Sequence, residues 1–193
     1  MMYRKSTLKN LDIDWFVCIN NTPIHIASNG GQIPQNTYRI RELEEIYNHV
    51  LSMPKDNRVA VDTSYIEGLD GYDYLYDQDN ITEFVEGSVT SYDKISLYSE
   101  SFVEMAKRGF FSFDRTDDSM ETGYELYRLI AWPENGDENI LRIFQGRNIP
   151  LVRIVELSYN KSRDSEILDY EMNYAPINIQ ISNEELEAVL DRL

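Results

Sequence analysis

Apolar positions along this chain recur with two periods, and the period changes from segment to segment. Asp14 to Ile19 and Thr22 to Ala27 are short β-rich runs separated by Asn20-Asn21. Asparagine tolerates positive φ, so this pair predicts a two-residue hairpin turn. Pro23 has no N–H to donate, which pushes the second strand toward an edge or restricts pairing near its start. Within that strand His25 faces away from Ile24 and Ile26. Ser28 to Gly31 then breaks the pattern.

From Tyr38 to Met53 the period lengthens. Ile40, Leu43, Tyr47, Val50 and Leu51 form the stripe of an amphipathic helix, which Pro54 stops. Arg58 to Ile66 predicts a short strand, and Glu67 to Gly87, which has no clean period, a long loop. Ser91 to Arg108 carries the strongest helical signals. Ser91 is the N-cap with Asp93 in the first turn, and Ile95, Tyr98, Phe102, Met105 and Ala106 share a face. Lys107 and Arg108 occupy the last turn, with Gly109 beyond it as the C-terminal stop.

The remainder predicts β structure: Phe110 to Phe113, Tyr124 to Trp132, a return strand over Ile140 to Phe144 after an Asn-Gly turn, then Leu151 to Leu157 and Leu168 to Ile181. Ser182 with Glu185 makes a capping box for a final short helix. No repeat or low-complexity linker divides the chain, so residues 1–193 are expected to form one globular domain. The predicted class is α+β: a mainly antiparallel sheet, two principal amphipathic helices packed on one face, and a short C-terminal helix.

Charge changes the picture most. The chain has 34 acidic against 18 basic residues, a net charge of −16. Between Val59 and Asp93 there are nine carboxylates and no lysine or arginine, with Tyr65, Tyr72, Tyr74, Tyr76 and Tyr92 threaded among them. Such a field repels nucleic acid and anionic membranes and attracts basic protein surfaces. The lone Cys18 forbids an intrachain disulfide, no signal-like apolar segment opens the chain, and none of spanning length occurs. A cytoplasmic location is therefore expected.

Candidate chemistry is sparse. Asn29-Gly30-Gly31 lacks the rest of a dinucleotide or phosphate-loop fingerprint and reads as a turn. His25, His49 and Cys18 are too few, and wrongly spaced, for zinc. Asp70, Asp73, Asp77, Asp79 and Asn80 do not match a calcium loop, so neither metal nor cofactor is expected. Cys18 and His25 could meet only if paired strands brought them together. Asp114 and Arg115, at the end of the Phe-rich strand, are placed to form a polar site with Tyr124 or Arg128. The Phe111-Ser112-Phe113 strand resembles the middle strand of ADP-ribosyltransferases. That resemblance would give His25 the role of their Arg-or-His strand and Glu156 or Glu171 that of their glutamate strand, a fit that many α+β chains allow.

Two functional expectations follow. The first is an acidic interaction protein of the inhibitor, immunity or nucleic-acid-mimic type, without catalysis, that covers a basic surface on a partner protein. Its contact carboxylates would be Asp70, Asp73, Asp77 and Asp79, and its aromatic anchors Tyr72, Tyr74 and Tyr76. The alternative is an enzyme of small molecules or nucleotides, built on His25, Asn29 to Gly31, Asp114 and Arg115. It requires those residues to converge on one site.

Overall fold

The computed structural model describes residues 13–29, 40–69, 91–116, 125–155 and 177–190. The first strand, β1 (Asp14–Ile19), turns back into β2 (Thr22–Ala27). Asn20 and Asn21 hold φ of 50° and 66°, the left-handed pair that a tight hairpin needs. Next come α1 (Ile40–Leu51), β3 (Val59–Val61), α2 (Thr63–Glu67) and α3 (Ser91–Lys107). These lead to β4 (Phe111–Arg115), β5 (Tyr127–Pro133), α4 (Glu138–Phe144) and β6 (Asn148–Ile149). A helical stretch follows at 151–155, and β7 (Ile177–Ile179) and α5 (Asn183–Leu190) complete the described elements.

One sheet joins all seven strands in the order β3-β5-β4-β2-β1-β7, with β6 beside β3 on the same edge of β5. It is mixed: four of the pairings among the described strands are antiparallel and two are parallel. The long connection from β2 through α1, β3, α2 and α3 returns β4 parallel to β2, and β7 joins β1 in parallel as well. Strand direction of this kind is set by crossovers, which the local pattern of apolar residues does not record. Pro23 sits inside the sheet, opposite Cys18; β4 begins pairing only at Ile24, so the missing N–H falls just outside the ladder.

Both faces of the sheet are covered, which corrects the expected one-sided layer. Trp15, Val17, Ile19, Ile24, Ile26, Phe111, Phe113 and Leu129 alternate onto one face, beneath Ile140, Ile143 and Phe144 of α4, Leu151 to Val155, and Leu186 of α5. Each such buried side chain contributes about 1.5–3 kcal/mol. The opposite face, called here the helix-pair face, carries Phe16, His25, Ser112, Asp114 and Arg128 beneath α1, α2 and α3. A bulge in β5 shifts the register between Ser112 and Phe113, so both Ile130 and Ala131 join this second cluster.

The helix α3 packs Phe102, Met105 and Ala106 as expected, and Gly109 (φ 98°) takes the left-handed position past its end. In α1, Ile46 and Val50 are buried, whereas Leu51 is 42% exposed and lies outside the stripe assigned to it. Three expected strands are different. Residues after Val61 turn into α2, and 151–155 are helical. Ile140 to Phe144 belong to α4, because Asp137 caps the amides of Asn139 and Ile140 (2.8 and 3.3 Å) and Ile140, Ile143 and Phe144 share one helical face. In the turn before it Gly136 is needed for space: a Cβ there would lie 2.5 Å from the ring of Phe111.

The capping box forms, with Ser182 N–H donating to Glu185 (3.2 Å) and Glu185 N–H to Ser182 Oγ (3.1 Å). Residues 168–176, in the expected last strand, lie outside the described residues, as does most of the expected 67–87 loop.

Candidate functional site

The acidic run begins on a fixed support. Asp62 follows β3 and caps α2, its Oδ1 accepting from Tyr65 N–H (3.2 Å) and Ser64 Oγ (2.8 Å). Its other oxygen receives Arg128 of β5 through Nε (3.1 Å) and Nη2 (2.9 Å), and that guanidinium lies 4.9 Å from the ring centre of Tyr65. A hydrogen-bonded pair with both side chains mostly buried holds its geometry far better than an exposed one. Ile66 of α2 then packs with Phe102 and Ala106 of α3. The run's entry at Leu69 and its exit at Ser91 thus both leave from elements seated on the helix-pair face. Asp62 itself is spent internally and is not a contact carboxylate. Asp70, Tyr72, Asp73, Tyr74, Tyr76, Asp77 and Asp79 lie outside the described residues.

The residues of the enzyme reading come only partly together. His25 pairs with Ser112 across β2 and β4, and its Nδ1 lies 2.6 Å from Ser112 Oγ. On the ring's far side Nε2 stands 3.5 Å from Asp14 Oδ1. Serine, histidine and aspartate are therefore aligned, a contact that no local motif announces. Yet Ser112 is 0% and His25 1% exposed, enclosed by Phe16 and Phe102, so no substrate reaches the hydroxyl. As it stands, the alignment pairs Nδ1 with the Ser112 hydroxyl inside the sheet and leaves Nε2 buried without a hydrogen bond. Cys18 does not take part: it opposes Pro23, while Phe16 opposes His25. Burial pushes the Cys18 thiol pKa up, which makes it a poor nucleophile.

Asp114 follows Ser112 on the same face and accepts from the hydroxyl of Tyr98 and from the Arg115 N–H (2.8 Å). Arg128 is its register partner but is committed to Asp62. Arg115 projects from the other face, where it donates to the Asn29 carbonyl (3.3 Å) and lies 4.0 Å from Glu125. Asn29 has a φ of 42°, the turn conformation expected of it. Glu125 also accepts from the buried Tyr127 hydroxyl, whose pKa burial and then the Glu125 charge drive upward. His25 and Asp114 hence share a face that Arg115 does not. Gly30, Gly31, Tyr124, Glu156 and Glu171 lie outside the described residues.

Elsewhere the described cations are largely used internally. Glu104 receives Lys55, Lys107 (2.9 Å) and Arg108 (3.4 Å), and Arg147 pairs with Glu187 (3.0 Å). Arg108 also donates to the carbonyls of Glu104 (2.6 Å) and Leu51 (3.3 Å), tying the ends of α3 and α1 together. Among the described residues no group of three or more His, Cys, Asp or Glu could hold a metal ion, and no helix is long and apolar enough to cross a membrane.

Comparison with known proteins adds no relative: no family model, no curated protein and no solved structure matches this chain.

Proposed function

We propose that this chain is an acidic binding protein that covers a basic surface on a partner protein, as an inhibitor, an immunity-type protein or a nucleic-acid mimic does. The observation that carries the reading is the 59–93 run, with nine carboxylates and no lysine or arginine. What supports it structurally is that both ends of the run depart from anchored elements, at the Asp62–Arg128 pair and at α3. Anchored ends reduce the conformational entropy a binding segment gives up on contact. The catalytic reading has less behind it, because His25 and Ser112 are sealed and Arg115 faces away from Asp114.

The test is kinetic. A basic protein captured from host lysate at low salt is purified, and its association with the chain is followed by stopped flow over a salt series. Steered binding gives an on-rate that falls steeply with salt. Replacing Asp73 and Asp77 with lysine should lower that on-rate about tenfold while dissociation changes less. An on-rate indifferent both to salt and to these replacements defeats the proposal.

A further inference from the structure

We propose that the outer edge of β3 docks an extended segment bearing lysine or arginine, which joins the sheet as a further strand. The inference deepens the acidic-binder reading and rests on it for the source of that segment, the basic partner protein. Register shows which backbone groups are free. Glu134 N–H donates to Arg58 O (2.9 Å) and Asp62 N–H to Ile130 O (2.9 Å), with Ala60 opposite Trp132 between them. In an antiparallel ladder every second residue bonds the neighbouring strand, so Arg58, Ala60 and Asp62 face β5. Val59 and Val61 then turn their N–H and C=O groups away from it. Among the described residues no strand pairs with that side, since β3 ends the sheet and β6 bonds β5 rather than β3. The side chains of Val59 and Val61 pack inward on the helix-pair face and that of Ala60 on the opposite core, yet all three residues stay only partly buried. Their remaining exposure falls on the edge.

Charge names the occupant. β3 is itself the start of the 59–93 run that holds nine carboxylates and no lysine or arginine. Asp56, Glu67 and Glu134 are exposed beside it in chain or in register, against Arg58, while Lys55 is engaged by Glu104. An unpaired edge offers the same main-chain bonds to any extended segment, so side-chain charge decides which one it accepts. A second copy of this chain is disfavoured, because −16 would meet −16. The two features divide the work. The acidic run draws a basic surface in but sets no register, whereas paired backbone groups fix both direction and register. The shortness of β3 protects it from indiscriminate pairing and leaves the carboxylates to make binding selective.

Backbone hydrogen exchange followed by NMR tests this on the isolated chain. In the free protein Ala60 and Asp62 should be protected while Val59 and Val61 exchange freely. Protection of all four would mean that the edge is already covered and overturns the proposal. Two end-capped peptides, alternating lysine with valine and glutamate with valine, are then added at constant ionic strength. Near saturation the lysine peptide should slow exchange at Val59 and Val61 about tenfold and shift both amides, and the glutamate peptide should do neither. No change with the lysine peptide, or equal effects of the two, overturns the docking strand. Val59→Pro removes an outward N–H that the native ladder does not use, so the fold keeps its bonds while the lysine peptide binds about tenfold more weakly. Unaltered affinity in the folded variant also overturns it; should the variant fail to fold, exchange in the native chain decides alone. The captured basic protein should protect the same two amides. If its on-rate falls with salt but both amides still exchange freely, the acidic-binder reading stands and the docking strand falls. If the lysine peptide protects them while that on-rate ignores salt, the edge stands and the basic partner is overturned as its occupant.

Discussion

Glu104 shows at the scale of single residues how this chain uses its few cations. Hydrogen bonds from Lys55 and Lys107 hold its carboxyl at about 2, well below its ordinary 4.5. A carboxyl whose pKa is depressed by folding contributes stability that is complete above its unfolded value. That stability is lost as pH falls through the folded value. The stability gap between the native chain and Glu104→Gln should therefore be full at pH 7 and narrow steadily below the ordinary carboxyl value. With the side chain 32% exposed, solvent screening keeps the gap at about 1 kcal/mol or less. Urea unfolding of both proteins at pH 7 and pH 3 measures it, and a gap that widens in acid contradicts the assignment. The same economy explains Asp62, which the charge pattern counts among the free acids and Arg128 neutralises.

At the scale of elements, the hairpin turn does more than reverse the chain. Asn20 donates its backbone N–H to Ile179 O (2.8 Å), and its side chain donates to Ile181 O (2.8 Å) and accepts from Ile181 N–H (2.9 Å), in the manner of an extra strand residue. Asn21 and Asn178 bond to each other in turn (2.6 and 3.3 Å). Asn20→Gly should preserve the turn, since glycine accepts a φ of 50°, but release the clamp. Two side-chain bonds put the cost at about 2 kcal/mol. Hydrogen exchange at Ile181 should quicken while β1 and β2 stay protected, and unchanged exchange there refutes the clamp. The turn was legible in the Asn-Asn pair, as α3 was in its apolar face and Gly109; the clamp was not, because its partners stand some 160 residues away. For the same reason the His25–Ser112 contact, 87 residues apart, had no local signature. The misreading of α4 has another cause: in an apolar run as short as Ile140 to Phe144, periods of 2 and 3.6 are hard to separate, and the deciding cap at Asp137 looked like part of a turn.

For the molecule as a whole the ruling quantity is the charge of −16. Acidic residues outnumber basic ones 34 to 18, so the excess carboxylates act on one another as uncompensated like charges. Their mutual repulsion favours an expanded chain and is relieved by salt. At about 0.01 M the screening length is ~30 Å, comparable to a small protein's diameter, and at 0.1 M it is ~10 Å, so distant pairs cease to interact. The melting temperature should therefore rise between these two conditions, against the usual expectation that salt weakens surface ion pairs. Partner binding should respond in the opposite sense, because the same screening removes the attraction that steers a basic surface inward. Salt that stabilises the free protein while slowing its association would tie both behaviours to one cause. Calorimetry at the two concentrations is the first measurement: a melting temperature that stays level or falls would mean that local pairs, such as those around Glu104, outweigh the global field.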